Sequence, residues 1–405
     1  MTSPKGFPLD RPAGTGWNVF DGHVAFPVAV LSESALAHNG TLMRDYCASQ
    51  GVSIAPHGKT TMAPALFRRQ LADGAWAITA ATTWQAKAMY EAGVPRILIA
   101  NEVVVPAEAR WLGGALEDGL DLYCYVDSVA GVEILSAALD GAEATLKVLV
   151  EVGVDGGRTG VRGTPRGLEV AEAANRSRQL ALTGVAGFEG IIGPEGDRTA
   201  AERVDAFLTE IVDFTRAIAD RRWFQPSPDV VVSAGGSAYF DYVVARFSHL
   251  DLDLPTRIVI RSGCYITHDD GAYDGSSPMG AQSRVGGDAH LMPAIEIWGV
   301  VLSRPEPSRA LVGIGKRDAS ADGLLPLAKK VRRRASDVVE DIQPIRVSAV
   351  NDQHAYLDLD EFNPLEVGDL IGFGISHPCT TFDKWRALAI VDDDYNVIEL
   401  VETLF

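Results

Sequence analysis

Short apolar, β-branched runs alternate with helix-like stretches as far as Tyr265, and this rhythm restricts the fold more than any other property of the sequence. The runs lie at 28–31, 52–55, 76–80, 96–100, 120–126, 146–152, 181–188, 230–233 and 258–260. Amphipathic segments at 63–72, 84–91, 129–138, 167–173 and 200–217 fall between them, each with a polar face for solvent. Repeated βα units of this kind build a parallel sheet covered by helices. A (β/α)₈ barrel needs eight strands, so with nine runs the first, 28–31, belongs elsewhere, paired with strands from the C-terminal third. A doubly wound open sheet is the competing arrangement.

After Tyr265 the texture changes. Residues 269–278 read as a turn-rich linker, and 294–303, 309–313, 345–350, 354–359, 369–373 and 387–391 read as short antiparallel strands. The expected fold class is therefore α/β. A (β/α)₈ barrel occupies 35–270, and a second, mostly antiparallel β domain is made from 1–34 plus 271–405. The basic run 329–334 reads as a solvated face.

A formal net charge of −18 repels phosphate backbones and anionic lipid, which argues against nucleic-acid and membrane-surface partners. Four cysteines, Cys47, Cys124, Cys264 and Cys379, have no pairing spacing and fit reduced thiols. Residues 1–16 lack an apolar targeting core, and no later stretch is long and apolar enough to span a bilayer, so a cytoplasmic location is expected.

In such a barrel the reactive groups sit at the C-terminal ends of strands. The run 52–55 leads into Pro56-His57-Gly58-Lys59-Thr60, where proline fixes the exit and glycine admits a ligand to the backbone. Lys59 is either an ion-pair partner or the desolvated amine that a carbonyl cofactor needs. Arg158, among the glycines after 146–152, anchors an oxyanion or else caps a helix in solvent. Gly235-Gly236-Ser237, after a late strand, offers bare amides and a hydroxyl as an anion nest. Gly263-Cys264-Tyr265 adds further amides and a phenol. In the last third, His377-Pro378-Cys379 sets an imidazole two residues from a thiol, half of an open zinc site. His354 is a further metal candidate, or a packed and hydrogen-bonded histidine.

These motifs resemble the fold-type III pyridoxal-phosphate enzymes of the alanine-racemase-like barrel, and among them the D-serine dehydratase and D-threonine aldolase group. The resemblance runs from Pro27-Val28-Ala29-Val30 through the Pro56–Thr60 box and the Gly235 and Gly263 turns to His377-Pro378-Cys379. It implies pyridoxal 5′-phosphate held as a Schiff base by Lys59, with Gly235, Gly236, Ser237, Gly263, Cys264 and Tyr265 on the phosphate and Arg158 beside the ring. It implies a metal on His377 and Cys379; the thiolate tilts the choice to Zn2+ over Mn2+ or another divalent ion. Glu189 stands where similar proteins carry tyrosine or histidine, and is the candidate partner of the pyridine nitrogen. The implied activity is a lyase for small D-β-hydroxy amino acids. Its first form is a dehydratase giving a 2-keto acid and ammonia, and its alternative an aldolase giving glycine and an aldehyde with His57 as base. Racemisation and a non-catalytic cofactor carrier are the remaining readings. A homodimer, each barrel capped by its partner's β domain, is the implied assembly.

Overall fold

The computed structural model describes residues 4–8, 10, 14–192, 198–226, 228–287 and 289–405; the leaderless reading of 1–16 falls partly outside them. The chain divides into two compact units, residues 43–59 with 67–263, and residues 1–42 with 60–66 and 264–405.

All nine N-terminal runs are strands, and the first does leave the barrel. β1 (Val28–Ser32) belongs to the second unit, where it pairs with strands of the C-terminal third. The first-named unit carries β2 (Ser53–Ile54), β3 (Ile78–Ala80), β4 (Arg96–Glu102), β5 (Asp121–Val126), β6 (Leu146–Val152), β7 (Leu180–Gly187), β8 (Val230–Ala234) and β9 (Thr256–Ile260). They form one eight-stranded parallel sheet in the order β2-β9-β8-β7-β6-β5-β4-β3. The two ends meet. Trp76 N–H donates to Ile54 O at 2.8 Å and Thr79 N–H to Pro56 O at 2.8 Å, so the sheet curls round on itself and the doubly wound alternative is excluded. Ala55, Ala77, Leu98, Tyr123, Tyr125, Leu149, Ala186, Val231 and Val259 fill the interior, and closure leaves no free edge among them.

Helices follow the strands, among them Thr83–Glu91, Val129–Ala138, Thr164–Arg176 and Arg198–Asp220. Their starts are dictated locally: the Thr82 and Ser128 side chains accept from Gln85 and Gly131 N–H and so cap two of them. No helix among the described residues is long and apolar enough to cross a membrane.

The second unit is built on β10 (Ile295–Glu306), β11 (Arg309–Val312), β12 (Leu327–Arg332), β13 (Val339–Ile345), β14 (Val347–Val350), β15 (Ala355–Asp358), β16 (Leu370–Gly374), β17 (Ala387–Val391) and β18 (Val397–Glu402). One path runs β13-β12-β16-β10-β1-β17-β18; β11, β15 and β14 continue from β10, and every pairing but β1 with β17 is antiparallel. Trp298, Val28, Val30, Ala389 and Val397 lie in its core.

Two segments depart from the sequence reading. The basic run begins inside β12, and its cations are consumed by carboxylates: Lys329 meets Asp270 at 2.7 Å, Lys330 meets Glu296 at 2.7 Å, and Arg333 meets Asp369 at 3.1 Å. Residues 269–278 are no open linker either. The buried Asp269 carboxylate accepts from the N–H groups of Gly271, Tyr273 and Asp274 and folds the stretch into the short helix Ala272–Ser276.

Candidate active site

In the barrel unit, β2 runs out through Pro56 and His57 into a single turn, Gly58–Thr60, that carries Lys59. Glycine is required at 58 by space: a Cβ there would lie 2.6 Å from Ile78 Cγ2 and 2.6 Å from Met89 Cε. Lys59 makes no ion pair among the described residues. Arg158 meets no carboxylate among the described residues, its guanidinium lying 4.4 Å over the Phe188 ring. His57 holds its pKa well below the ordinary imidazole value. Removal from water is the main cause, and the charges of Lys59, Arg261 and Arg158 add to it. Its Nδ1 is buried with no hydrogen-bond partner among the described residues.

At the β8 end, Gly235 adopts φ +88°, a backbone state open to glycine, and the turn presents two successive N–H groups to one side chain. Both point at Glu189. Its fully buried carboxylate accepts from Gly235 N–H at 3.0 Å and from Gly236 N–H at 2.7 Å. The turn therefore binds an anion, and in this structure that anion is Glu189. The amides assigned to a phosphate and the carboxylate assigned to a ring nitrogen are engaged with each other.

Arg261, which the sequence reading passed over, is the buried cation of this interior. It donates to Ser233 Oγ at 2.6 Å and Gly187 O at 2.6 Å, and its Nε has no partner among the described residues. An arginine two residues before Gly263 was the available signal. Glu102, Glu151 and Asp127 form a second unread group, in which burial first and the Glu151 and Asp127 charges second push Glu102 up to about 9.

The other unit holds Cys264, Tyr265, His377 and Cys379. Cys264 and Tyr265 are buried in the turn Cys264–Ile266. Cys379 Sγ lies 3.9 Å from Cys264 Sγ and 3.3 Å from Thr60 Oγ1. The Cys264 thiol, then His377 and Thr60, hold the Cys379 thiol well below its ordinary pKa. His377 is pushed up to about 9, first by Cys379 and then by Asp322, whose Oδ2 is 2.9 Å from Nδ1. His354 is exposed at the β14–β15 turn. Among the described residues no three His, Cys, Asp or Glu side chains are disposed to hold a metal ion together. The donors nonetheless fit an open site: a soft thiolate and an imidazole with one ring nitrogen left over suit zinc, with water or substrate completing the shell.

The barrel side also fits the cofactor. An amine and a guanidinium that meet no carboxylate among the described residues, Arg261 Nε and His57 Nδ1 atoms without a partner among them, and a turn able to take an anion are what a phosphorylated aromatic aldehyde would engage.

Comparison with known proteins agrees with this architecture. A family model described as "Alanine racemase, N-terminal domain" matches residues 31–252, and one described as "Putative serine dehydratase domain" matches residues 294–391. D-threonine aldolase of Arthrobacter sp is 25% identical over 392 residues, 96% of this chain and 94% of that protein. D-threo-3-hydroxyaspartate dehydratase of Delftia sp. (strain HT23) is 30% identical over 200 residues, 47% of this chain and 51% of its own length. The crystal structure of D-threonine aldolase from Filomicrobium marinum superposes with a TM-score of 0.78 at 24% identity, over 97% of this chain and 98% of that one. With the first family model spanning more than half of its residues, the chain belongs to the alanine racemase N-terminal domain family, in the fold-type III group whose barrel is followed by a serine dehydratase domain.

Proposed function

We propose that this chain is a pyridoxal-phosphate- and divalent-metal-dependent lyase of D-β-hydroxy amino acids, and that its main reaction is dehydration of D-serine or D-threonine to a 2-keto acid and ammonia. The observation that carries this reading is the presence in one chain of a lysine at a barrel strand end, without a carboxylate partner among the described residues, and a His377–Cys379 pair of donors. When bound, the cofactor supplies an electron sink for charge at Cα and zinc supplies a Lewis acid for a departing hydroxyl.

The chain's own groups do the rest. Lys59 is the amine that takes the Cα proton of the substrate. Arg158 orients an anionic oxygen beside it. Ser237 and the backbone of Gly263 would hold the phosphate, with Gly235 and Gly236 joining them when Glu189 yields their N–H groups. Cys379, its thiol held well below the ordinary value by the Cys264 thiol and His377, and the ring of His377 would hold the metal.

A second reading, cleavage to glycine and an aldehyde, is favoured by the aldolase relative matched along nearly its whole length. It uses His57, kept neutral by its surroundings, to accept the hydroxyl proton. The serine dehydratase domain match and the thiol ligand favour dehydration. Product analysis on zinc-loaded protein separates the two: keto acid and ammonia from D-serine or D-threonine supports dehydration, whereas glycine and acetaldehyde from D-threonine replaces it with the aldolase.

A further inference from the structure

Between β11 and β12 the chain carries a carboxylate, Asp322, that is engaged by two residues of the segment around His377 and Cys379 and by its own neighbour Ser320. Asp322 Oδ2 lies 2.9 Å from His377 Nδ1. The Thr380 hydroxyl lies 3.1 Å from each Asp322 oxygen and donates to Ser320 Oγ at 2.9 Å, while Ser320 Oγ donates in turn to Asp322 Oδ1. The segment is also fixed through its backbone. Ser320 N–H donates to Thr381 Oγ1 at 3.1 Å, Trp385 Nε1–H donates to Asp318 O at 2.8 Å, and Gly315 N–H donates to the buried Asp318 carboxylate at 2.9 Å.

An imidazole that is to bind a metal must be in one tautomer and one orientation. A carboxylate on Nδ1 fixes the proton there, leaves the Nε2 lone pair outward, and raises its donor strength. We propose that Asp322 is the positioning residue of His377, holding the ring by Nδ1 so that Nε2 faces a divalent ion shared with Cys379, with Ser320 and Thr380 locking the carboxylate in place. The proposal rests on reading His377 and Cys379 as the metal pair. It predicts that metal affinity depends on a residue that does not itself touch the metal.

The test is zinc affinity of the full chain, by competition with a chromophoric chelator, for the unaltered protein, Asp322→Asn, Asp322→Ala and His377→Ala. The visible spectrum of the cobalt-loaded proteins and the thermal midpoint of the metal-stripped proteins are recorded beside it. Zinc binding should weaken about 10-fold in Asp322→Asn, which still accepts from Nδ1 but without charge, and about 100-fold in Asp322→Ala. His377→Ala should lose the site. The Asn variant should keep the cobalt band positions and the metal-free midpoint. If both Asp322 variants bind zinc as tightly as the unaltered protein while His377→Ala does not, the positioning role is overturned and the metal pair stands. A changed cobalt spectrum in Asp322→Asn would make Asp322 a ligand and overturn the proposal differently. If His377→Ala binds zinc undiminished, the metal pair fails and the positioning role fails with it.

Discussion

The two units prepare their reactive groups by different physics. In the barrel unit, protonation states are set by removal from water: His57 is driven neutral and Glu102 is pushed up to about 9, with burial the first cause of both. In the sheet unit, they are set by side-chain hydrogen bonds: Cys379 is lowered by Cys264, and His377 is raised to about 9 by Cys379 and Asp322. A group tuned by burial depends on the scaffold as a whole and tolerates loss of one neighbour. A group tuned by a partner changes when that partner changes.

Lys59→Ala is the largest test of this contrast, because no neighbour substitutes for a primary amine. Turnover should fall by about 10³-fold or more, the scale of deleting a residue that bonds covalently to the reacting system. The visible absorbance of the lysine-bound cofactor should vanish; a variant that keeps that band unchanged sinks the assignment of Lys59. Cys379→Ala should act on the other unit alone. Zinc content should be lost and dehydration should fall by about 10²-fold or more, since a Lewis acid supplies several kcal/mol, while the cofactor band stays. Chelation of the unaltered protein should reproduce the loss. Full activity in metal-free Cys379→Ala removes the metal from the reaction.

The units also differed in how far the sequence could be read. Barrel strands announce themselves because both faces are buried, which puts a short apolar stretch at the centre of each, such as 148–150 or 230–232. The strands β12, β13 and β18 did not, because they alternate or carry charge. Lys329 and Lys330 looked like a solvated surface until Asp270 and Glu296, distant in sequence, were placed against them. The same limit applies to the sites. His57 and Lys59 share one box, and His377 and Cys379 lie two residues apart, so their adjacency was legible. Asp322 is 55 residues from His377 and Cys264 is 115 from Cys379, and neither association leaves a local signal. Glu189 was visible as an unusual residue, yet its grip on the Gly235 and Gly236 amides depends on how β7 and β8 end side by side.

Arg261→Met asks how much of the barrel interior depends on one cation. It removes two short hydrogen bonds from a buried guanidinium and leaves Gly187 O without its donor, so stability should drop by about 3 kcal/mol in denaturant unfolding. The His57 pKa, followed by its ring resonances, should rise, since one of the positive charges depressing it is gone. It should still stay below the ordinary value, because burial is the larger cause. A His57 restored to an ordinary imidazole by this single change would mean that neighbouring charge, not burial, rules the barrel as well.

Glu102→Gln should give no effect at the acidic end of its window and the cleanest sign above it. The folded chain holds the Glu102 proton up to about 9, whereas the unfolded chain releases it near the ordinary value of 4.5. Between those limits the folded state binds more protons than the unfolded state, so this residue makes stability fall as pH rises through the window. Glutamine mimics the neutral acid and cannot ionise in either state. The variant should therefore match the unaltered protein near pH 4.5 and gain on it steadily towards pH 9, where its thermal midpoint should be highest relative to the unaltered protein. Glu151 and Asp127, the second and third causes of the shift, bear on the shape of that curve. If Glu102→Ala, which leaves space for water, flattens the pH dependence as glutamine does, loss of the titrating carboxyl is sufficient. If the unaltered protein shows no fall in stability across the window, Glu102 is ionised in the fold, and burial does not set charge in the barrel as it is taken to do for His57.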